Sequence, residues 1–404
     1  MKIVQLFNEQ RSIFGGETTA ISNTVEVLRR HGHQVTLAVR SSREIGDNLF
    51  RKAHAALSGM YSFSAISEIG RIVEREQPDV IHAHGVYPMW SPSIFRACRS
   101  LKVPTVLHVH CHYLTCPNWY HLRGGKVCNL CLGGNEHWCV LKNCRNSYPE
   151  SAAYALRSAV ARKLGLFTKE VGSFIAVSHF LRQRLVDGGY PADRIRVIPN
   201  AVLNVPELQA PDPATRRYIG FCGRLSAEKG AQVLIEAARR TGLPVRIAGE
   251  GPMRAELQQA APDSVTFLGY LRGDSLTEFY RGCRFVVVPS LSYEGLPLAA
   301  AEAMTHGLPA IGSRIGALPE VITENQTGLL FEPGNVNELA SLMSRLWQHP
   351  ELCQQFGNAA SAAAKTHYSE DIYHERLLAA YRDAAAFCGR AKVPSHDVIS
   401  CSVH

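Results

Sequence analysis

The chain has 404 residues, of which 46% are hydrophobic and 19% charged, and its formal net charge is +8. This length suffices for two domains that each bury a core, and no apolar window approaches the roughly 18 residues that predict a membrane-spanning helix. The first segment carries a charge at Lys2, which argues against a signal peptide, so we expect a cytoplasmic protein.

The charge is unevenly distributed along the chain. Residues 1–200 hold 25 Lys and Arg against 14 Asp and Glu, a net of +11, whereas residues 201–404 carry a net of −3. A basic N-terminal half fits an anionic partner such as a phospholipid surface, a lipid diphosphate or nucleic acid, although scattered solvated arginines explain it equally well. No basic motif interleaved with aromatic residues is present, so we expect no nucleic-acid partner.

The first half of the chain alternates between short apolar runs and amphipathic segments, which predicts βαβ units and a parallel sheet. We predict strands at 2–7, 34–39, 80–84 and 105–110, and helices at 18–30, 66–76 and 93–101.

A second series of the same kind follows a polar, proline-punctuated linker at 200–217. We predict strands at 218–221, 245–248, 266–267, 285–288 and 309–311, and helices at 232–240, 253–260, 276–281, 337–347 and 372–387. The predicted domains are therefore 1–198 and 199–370, followed by a helix at 371–388 that crosses back to the first domain and a flexible tail at 389–404.

One strand–loop–helix unit carries the clearest chemical signal. Residues 284–289 form a β-branched run that ends in proline, and the Ala- and Leu-rich segment 298–304 predicts a helix with Pro297 in its first turn. Free N–H groups at such a helix start bind phosphate, while Glu294 and Glu302 suit hydroxyls. A nucleotide sugar offers both groups; an ordinary αβ unit with two surface glutamates is the alternative.

Other strand-to-helix loops add to this signal. Arg224 and Lys229 bracket a turn after a predicted strand and can clamp a diphosphate, although two exposed basic residues are the alternative. Gly15 and Gly16 precede the first helix and let backbone N–H groups approach an anion, or form a plain loop. This is not the G-x-G-x-x-G pattern, which disfavours a nicotinamide cofactor. With the loop at 249–252, these features predict a nucleotide-diphosphate pocket in the second domain.

Taken together, these residues resemble glycosyltransferase family 4, the retaining nucleotide-sugar enzymes of GT-B fold, in order and spacing over almost the whole chain. The resemblance implies an α/β fold with two Rossmann-like domains, a cleft between them and a C-terminal helix that packs back across the hinge. The motifs that carry it are Gly15-Gly16-Glu17, 30–35, 78–84, 198–200, 223–230, 249–252, the pair Glu294 and Glu302, 307–309 and 327–330.

The resemblance also implies roles for individual residues. Arg224 and Lys229 would hold the donor diphosphate, Glu302 the ribose hydroxyls and Glu294 the hydroxyls of the donor sugar. His110 matches the family's active-site histidine, so the implied catalytic groups are these two cations, Glu294 and His110. Further donor contacts are implied for Gly16, Gly223, Gly251, Gly295, Leu296, Pro297 and Leu298.

The implied chemistry needs no catalytic metal. In the front-face mechanism usually proposed for the family, the leaving phosphate itself takes the proton of the acceptor. The chain departs from the family at one position, because an acidic residue often follows the active-site histidine and Cys111 stands there instead.

A cysteine-rich insert at 111–147 interrupts the first domain. Cys128 and Cys131 have the spacing of a metal knuckle, and Cys116 and Cys144 could complete a tetrahedron. A subgroup of the family has cysteines that match these four, which implies a structural zinc with Cys139 left over; reduced thiols without a metal are the alternative. The nearby histidines are predicted to be strand-end or packing residues: His82, His84, His108 and His112.

The sequence therefore predicts a retaining glycosyltransferase that moves a sugar from a UDP- or GDP-type donor to a saccharide or lipid-linked acceptor, in the synthesis of surface polysaccharide or glycolipid. We expect it to dock on the anionic inner face of a membrane through Arg157, Arg162, Lys163 and Lys169. The alternatives are a nucleotide-sugar epimerase or hydrolase of the same fold, and a zinc-stabilised binding scaffold without activity.

Overall fold

Two six-stranded parallel sheets organise the computed structural model, which describes residues 1–9, 16–42, 55, 57–203 and 212–390. The predicted loop glycine Gly15, part of the linker and the tail from residue 391 lie outside the described residues. Each sheet alternates with helices along the chain, which confirms the predicted α/β fold of two Rossmann-like domains.

The N-terminal sheet has the strand order β2-β1-β3-β4-β7-β8, and β5 and β6 form a separate antiparallel hairpin inside the cysteine-rich insert. Its carboxyl edge therefore gathers the loops after β1, β3, β4 and β7, where ligands of such sheets bind. The strands are β1 (Lys2–Glu9), β2 (Gln34–Ser41), β3 (Val80–Ala83), β4 (Thr105–Val109), β5 (Leu122–Arg123), β6 (Lys126–Val127), β7 (Ser173–Ala176) and β8 (Ile195–Val197).

Six helices accompany these strands in the described part of the first domain. They are α1 (Gly16–Arg30), α2 (Phe63–Glu76), α3 (Ser93–Ser100), α4 (His137–Leu141), α5 (Tyr148–Lys163) and α6 (His179–Asp187).

The C-terminal sheet has the order β11-β10-β9-β12-β13-β14, which is the doubly wound dinucleotide-binding arrangement. Its strands are β9 (Tyr218–Cys222), β10 (Val245–Ala248), β11 (Val265–Gly269), β12 (Cys283–Val288), β13 (Ala310–Ser313) and β14 (Gly328–Phe331). Its helices are α7 (Ala231–Thr241), α8 (Arg254–Ala260), α9 (Asp274–Gly282), α10 (Leu298–Thr305), α11 (Leu318–Val321), α12 (Val336–Gln348) and α13 (Pro350–His367).

The last helix, α14 (Glu370–Phe387), follows the second domain but packs on the N-terminal sheet. Leu377 and Tyr381 are fully buried there, in a cluster with Val106 of β4 and other strand residues. A Cβ on Gly172 would lie 3.0 Å from Cα of Ala384, so the glycine before β7 lets the helix approach closely. The helix thus crosses back as the resemblance implied.

The sequence did not predict several elements that the structure contains. The strands β7, β8 and β14 have only three or four residues each, and such short runs carry little periodicity. The helices α5, α6 and α13 were likewise not predicted. Pro297 was expected in the first turn of α10, but it stands just before the helix as its cap residue.

None of the helices in the described ranges is long and apolar enough to cross a membrane.

Candidate active site

The loops at the carboxyl edges of the two sheets meet across a cleft. A Cβ on Gly16 would lie 3.0 Å from Cδ1 of Leu298, and a Cβ on Gly295 would lie 2.4 Å from the carbonyl oxygen of His110. Both glycines therefore stand where one domain approaches the other, and neither tolerates a side chain without movement. The structure brings together these four residues, two from each domain, that the sequence predicted separately.

The two predicted phosphate-binding cations follow β9. Nη2 of Arg224 donates to Oε1 of Glu228 at 2.7 Å and to the Tyr120 hydroxyl at 2.9 Å. Nζ of Lys229 donates to both carboxylate oxygens of Glu294, at 2.8 and 2.9 Å. Each cation is therefore paired with a carboxylate, Arg224 with Glu228 and Lys229 with Glu294.

Glu294 is the central carboxylate of the cleft. It is 9% exposed, and the Ser290 hydroxyl donates to its Oε1 at 2.5 Å in addition to the contact with Lys229. A carboxylate that accepts several charge-assisted hydrogen bonds is held in one orientation. The predicted sugar-binding and phosphate-binding residues thus form one ion pair across two adjacent loops of the second domain.

Glycines let these loops interlock. Gly230 has a φ of 70°, and a Cβ there would lie 1.8 Å from the carbonyl oxygen of Pro289, so only glycine closes the turn after Lys229. A Cβ on Gly251 would lie 2.3 Å from the carbonyl oxygen of Leu225, whereas Gly223 meets its neighbours at ordinary contact distance. The loops after β9, β10 and β12 therefore form one rigid edge.

Glu302 lies in the second turn of α10. The Tyr280 hydroxyl donates to its Oε2 at 2.7 Å, and burial raises the pKa of the Glu302 carboxyl while that hydrogen bond opposes the rise. At the start of the same helix, the N–H groups of Ala300 and Ala301 donate to the carbonyl oxygen of Pro297 at 3.0 and 3.2 Å, so those of Leu298 and Ala299 are the ones without an acceptor inside the helix. The helix thus offers both an anion-binding end and a buried carboxylate to one ligand.

The cysteine-rich insert reaches across the cleft to the second domain. Besides the Tyr120 contact with Arg224, Nδ2 of Asn129 donates to the Tyr293 hydroxyl at 3.2 Å, and the His121 ring lies 5.6 Å from the Tyr293 ring. Tyr120 could not be predicted from the sequence, because a single tyrosine in an insert has no motif around it. The insert therefore contacts the predicted diphosphate site directly.

A second contact between the domains involves the start of α6. The backbone N–H groups of His179 and Phe180 donate to the two carboxylate oxygens of Glu320, the first at 2.8 Å. A carboxylate at a helix N-terminus satisfies donors that have no partner inside the helix and interacts favourably with its dipole. Glu320 belongs to α11 of the second domain, so it caps a helix of the first.

Five of the six cysteines of the insert lie together as free thiols around a small buried cluster: Cys116, Cys128, Cys131, Cys139 and Cys144. The pKa of the Cys139 thiol is raised to about 12 by burial, then by neighbouring Cys144 and Cys116. Cys139, which the sequence left over, is fully buried, and its carbonyl oxygen accepts from the N–H of Cys144 at 3.0 Å. In a separate group of three histidines, the possible ligand nitrogens all lie within 4.8 Å of one another. Within the described ranges, no three of the cysteine sulfurs come that close together.

That histidine group consists of His82, His84 and His108 on β3 and β4, all fully buried. Their rings stack with interplanar angles of 12–27°, so the nitrogen lone pairs run side by side and do not converge on one ion. The arrangement agrees with the predicted packing role. His110 extends the stack, its ring 4.1 Å from that of His108.

A cavity of about 390 Å³ lies between the insert and the helices of the first domain. Tyr87 and Tyr113 line it; they are 3% and 5% exposed, and their hydroxyls have no partner among the residues the structure describes. Unpaired buried hydroxyls are costly unless something satisfies them, so the cavity suits a polar occupant. The loops after β3 and β4, which also carry His84 and His110, supply these tyrosines.

The predicted membrane-docking arginines are not all available. Arg157 is 5% exposed because its guanidinium packs on the rings of Tyr87 and Tyr154, 4.3 and 3.9 Å from their centroids. Arg162 is ion-paired with Glu136 at 2.8 Å. The expectation that Arg157 faces a membrane is therefore wrong, whereas Arg162, Lys163 and Lys169 are exposed.

Comparison with protein families agrees with this geometry. Residues 14–202 match the model described as Glycosyltransferase Family 4, and residues 208–363 match Glycosyl transferases group 1. The chain therefore belongs to the family-4 type of glycosyltransferase.

Individual relatives are distant. An uncharacterized glycosyltransferase of Methanocaldococcus jannaschii is 27% identical over 70% of this chain and 76% of its own length. The sulfoquinovosyl transferase SQD2 of Arabidopsis thaliana is 28% identical over 85% of this chain and 66% of its own.

Solved structures share the GT-B fold over almost the whole chain. Anabaena HepE in complex with UDP has a TM-score of 0.66 at 17% identity, covering 94% of this chain and 99% of HepE. Sucrose-phosphate synthase of Thermosynechococcus elongatus has a TM-score of 0.69 at 18% identity, covering 96% and 100%. The protein is thus a glycosyltransferase of GT-B fold.

The buried histidines make stability depend on pH. Burial lowers the pKa of His110 to about 3, and it lowers the pKa of His84 and His108 well below the ordinary value, with neighbouring histidines adding to the shift. The unfolded chain, with pKa values of about 6.5, then binds more protons at acid pH. Stability should be fully present above about pH 6.5 and fall by about 1.4 kcal/mol per pH unit for each such histidine below it. Urea unfolding at about pH 7.5 and about pH 5.5 measures this loss.

Two substitutions sharpen the test. His108→Phe should flatten the pH slope by about 1.4 kcal/mol per unit, without loss of stability at neutral pH, because neither ring nitrogen of His108 has a partner in the described part of the chain. His137→Gln, at an exposed position, should leave the slope unchanged. A His108→Phe protein with the wild-type slope would contradict the buried neutral imidazole.

Proposed function

We propose that the protein transfers a sugar, with retention of anomeric configuration, from a nucleotide-diphosphate donor to a saccharide or lipid-linked acceptor. The observation that carries the proposal is the convergence of Lys229, Glu294 and Gly295 of one domain on His110 and Gly16 of the other. A cationic group, a buried carboxylate and a helix start there face one cleft, and a nucleotide sugar presents groups for all three.

Donor binding exchanges partners within the cleft. The diphosphate takes Lys229 and Arg224 from the carboxylates that hold them in the free protein, and Glu294 is then released to accept hydrogen bonds from sugar hydroxyls. Glu302 accepts from the ribose hydroxyls, while Gly16, Gly223, Gly251 and the segment 295–298 supply close backbone contacts. UDP in Anabaena HepE supports a donor of the UDP type, with GDP as the alternative base.

The transfer step balances without a metal ion or a separate base. The bond between the anomeric carbon and the diphosphate oxygen breaks, and the acceptor oxygen bonds that carbon from the same face. The acceptor's proton passes to the departing phosphate oxygen. Lys229 and Arg224 offset the charge that develops on the diphosphate, and Glu294 and His110 hold the sugar in place.

The acceptor enters from the first domain. The cavity beside Tyr87 and Tyr113 has the volume for one or two sugar rings, and its unpaired hydroxyls can bond them. A saccharide terminus there would lie next to the loop that begins at His110. We propose that surface polysaccharide or glycolipid synthesis is the process served, as expected from the sequence.

A donor screen tests the proposal. Thermal unfolding with UDP-, GDP- and ADP-sugars should reveal one stabilising donor, which at about 100 times its dissociation constant adds about 2.7 kcal/mol. The stabilisation should be lost in Lys229→Ala and in Arg224→Ala, each compared with its own ligand-free form. Arg239→Ala, an exposed ion-paired arginine of α7, should keep it.

Turnover assays with the donor found in this screen distinguish the competing functions. Turnover that requires an acceptor and yields a product with the donor's anomeric configuration by NMR supports retaining transfer. Turnover without any acceptor would favour the epimerase or hydrolase, and an inverted product would exclude the front-face step. Donor binding without turnover over a broad set of saccharide and lipid-linked acceptors would favour the inactive scaffold.

We also propose that the insert binds one structural zinc ion. Cys116, Cys128, Cys131 and Cys144 match the family subgroup. Burial, and after it the crowding of neighbouring thiols, raises the pKa of Cys131, and thiols crowded in this way fit a site where a divalent cation replaces their protons. Bound zinc would fix the insert, and with it the position of Tyr120. The buried Cys139 lies in the same cluster and is the alternative to one of these four ligands.

Metal analysis of single-cysteine variants decides the ligand set. The wild-type protein should contain one zinc per chain and lose it with Cys131→Ser. Cys128→Ser should lower the zinc content and Cys139→Ser should not; the reverse result would exchange these two ligands. Protein without zinc whose five clustered insert thiols all react with a thiol reagent would contradict the site.

Binding to a membrane surface is the last part of the proposal. The residues that would make this contact differ from the predicted arginines. On α5, Tyr148 and Leu156 are 62% and 52% exposed on one face, and Leu141 beside them is 63% exposed. Exposed Lys163 and Lys169 follow. An exposed apolar stripe with flanking cations suits the interface of an anionic bilayer, where the N-terminal excess of positive charge also acts.

Flotation with vesicles tests this surface. The protein should float with vesicles containing anionic phosphatidylglycerol and not with phosphatidylcholine alone. Leu156→Asp and Lys163→Glu should each weaken flotation, whereas Phe63→Asp, which changes an exposed apolar residue of α2, should not. Equal flotation of all variants, or none with anionic lipid, would contradict the proposal.

A further inference from the structure

A chain of hydrogen bonds runs through the first domain from the last helix to His110. The Tyr381 hydroxyl of α14 lies 2.9 Å from Nδ1 of His82, and Nε2 of Gln5 lies 3.1 Å from the same nitrogen. Oε1 of Gln5 lies 2.7 Å from Nε2 of His84, and Nδ1 of His84 lies 2.8 Å from Nε2 of His110. Apart from His110, every member is fully buried.

The hydrogen-bonding chemistry of these residues determines which ring nitrogens of His84 and His110 carry a proton. The amide oxygen of Gln5 can only accept, so Nε2 of His84 must carry the proton. The imidazoles are neutral because burial holds their pKa values low, so Nδ1 of His84 has only a lone pair. Nε2 of His110 must therefore donate to it.

The consequence falls on the other nitrogen of His110. A neutral imidazole that carries its proton on Nε2 has a lone pair on Nδ1, and this atom is buried with no partner within the described ranges. It is the one polar atom of the side chain left for a ligand. The His110 backbone lies against Gly295, the predicted sugar-side loop of the other domain.

We infer that Gln5 and His84 are positioning residues that hold His110 in the Nε2–H tautomer, so that Nδ1 accepts a hydrogen bond from a hydroxyl of the donor sugar. Tyr381 supports the amide orientation from the far end, because its hydroxyl and the amide nitrogen of Gln5 meet at the same Nδ1 of His82. The contact between Nδ1 of His110 and the sugar adds a detail to the proposed donor site and rests on that proposal. The tautomer of His110 does not depend on the donor site.

Nitrogen NMR of protein with labelled histidine tests the tautomer directly. A ring nitrogen without a proton resonates far downfield of a protonated one, and the His110 signals are assigned by their loss in His110→Gln. The wild-type protein should show a protonated Nε2 and an unprotonated Nδ1. Gln5→Leu should give a mixture of the two tautomers, and Tyr381→Phe a smaller change in the same direction.

A matched variant controls for effects of the helix itself. Tyr373→Phe removes another buried hydroxyl of α14, which bonds Thr24 at 2.7 Å outside the chain of histidines, and should leave the His110 signals unchanged. A wild-type protein with the proton on Nδ1 of His110 would overturn the inference, as would a Gln5→Leu protein whose His110 signals match the wild type.

Binding separates this inference from the donor site. For the donor found by thermal unfolding, Gln5→Leu should raise the dissociation constant of the nucleotide sugar about tenfold, the value of one hydrogen bond, and leave that of the nucleoside diphosphate unchanged. An equal loss for both ligands would overturn the sugar contact. If no nucleotide sugar binds the wild type, the proposed function and with it the sugar contact fail, while the tautomer is judged by NMR alone.

Discussion

The packing of the last helix against the first sheet is the interaction on which the cleft depends. α14 follows the second domain along the chain, yet Leu377 and Tyr381 are buried against strands of the first. The remaining described contacts between the domains come from loops, from the insert and from the start of α6, and they mix polar pairs such as Tyr120 with Arg224 and aromatic ones such as Phe180 with Tyr293. Contacts of this kind do not by themselves hold two domains in register. The apolar helix therefore determines which strand ends face each other.

The fold was predictable where the sequence pattern is long and local. The β-branched run that became β12 and the alternating units on both sides of the linker were sufficient for two parallel sheets. β7 and β8 were not, because they have only four and three residues and the helices beside them, α5 and α6, are only weakly amphipathic. Three residues of the candidate site, Arg224, Lys229 and Glu294, could be selected from local pattern as well, because they stand in loops that glycines and prolines mark in the sequence.

What the sequence could not give was pairing across the fold. The ion pair of Lys229 with Glu294 joins loops of two different strands, and no local spacing connects them. Arg157 was expected on a membrane-docking surface, but three aromatic rings around it form a site for its guanidinium that is visible only in three dimensions. In the sequence Gln5 is one residue of a predicted strand, and only the fold places its amide between two histidines.

The carboxylate of Glu320 has a consequence for how the cleft opens. It caps α6 from the other domain, so that domain separation leaves two backbone donors and a carboxylate to be solvated by water. This exchange would replace charge-assisted hydrogen bonds with hydration. Any opening of the cleft would therefore cost these hydrogen bonds whether or not a substrate is bound.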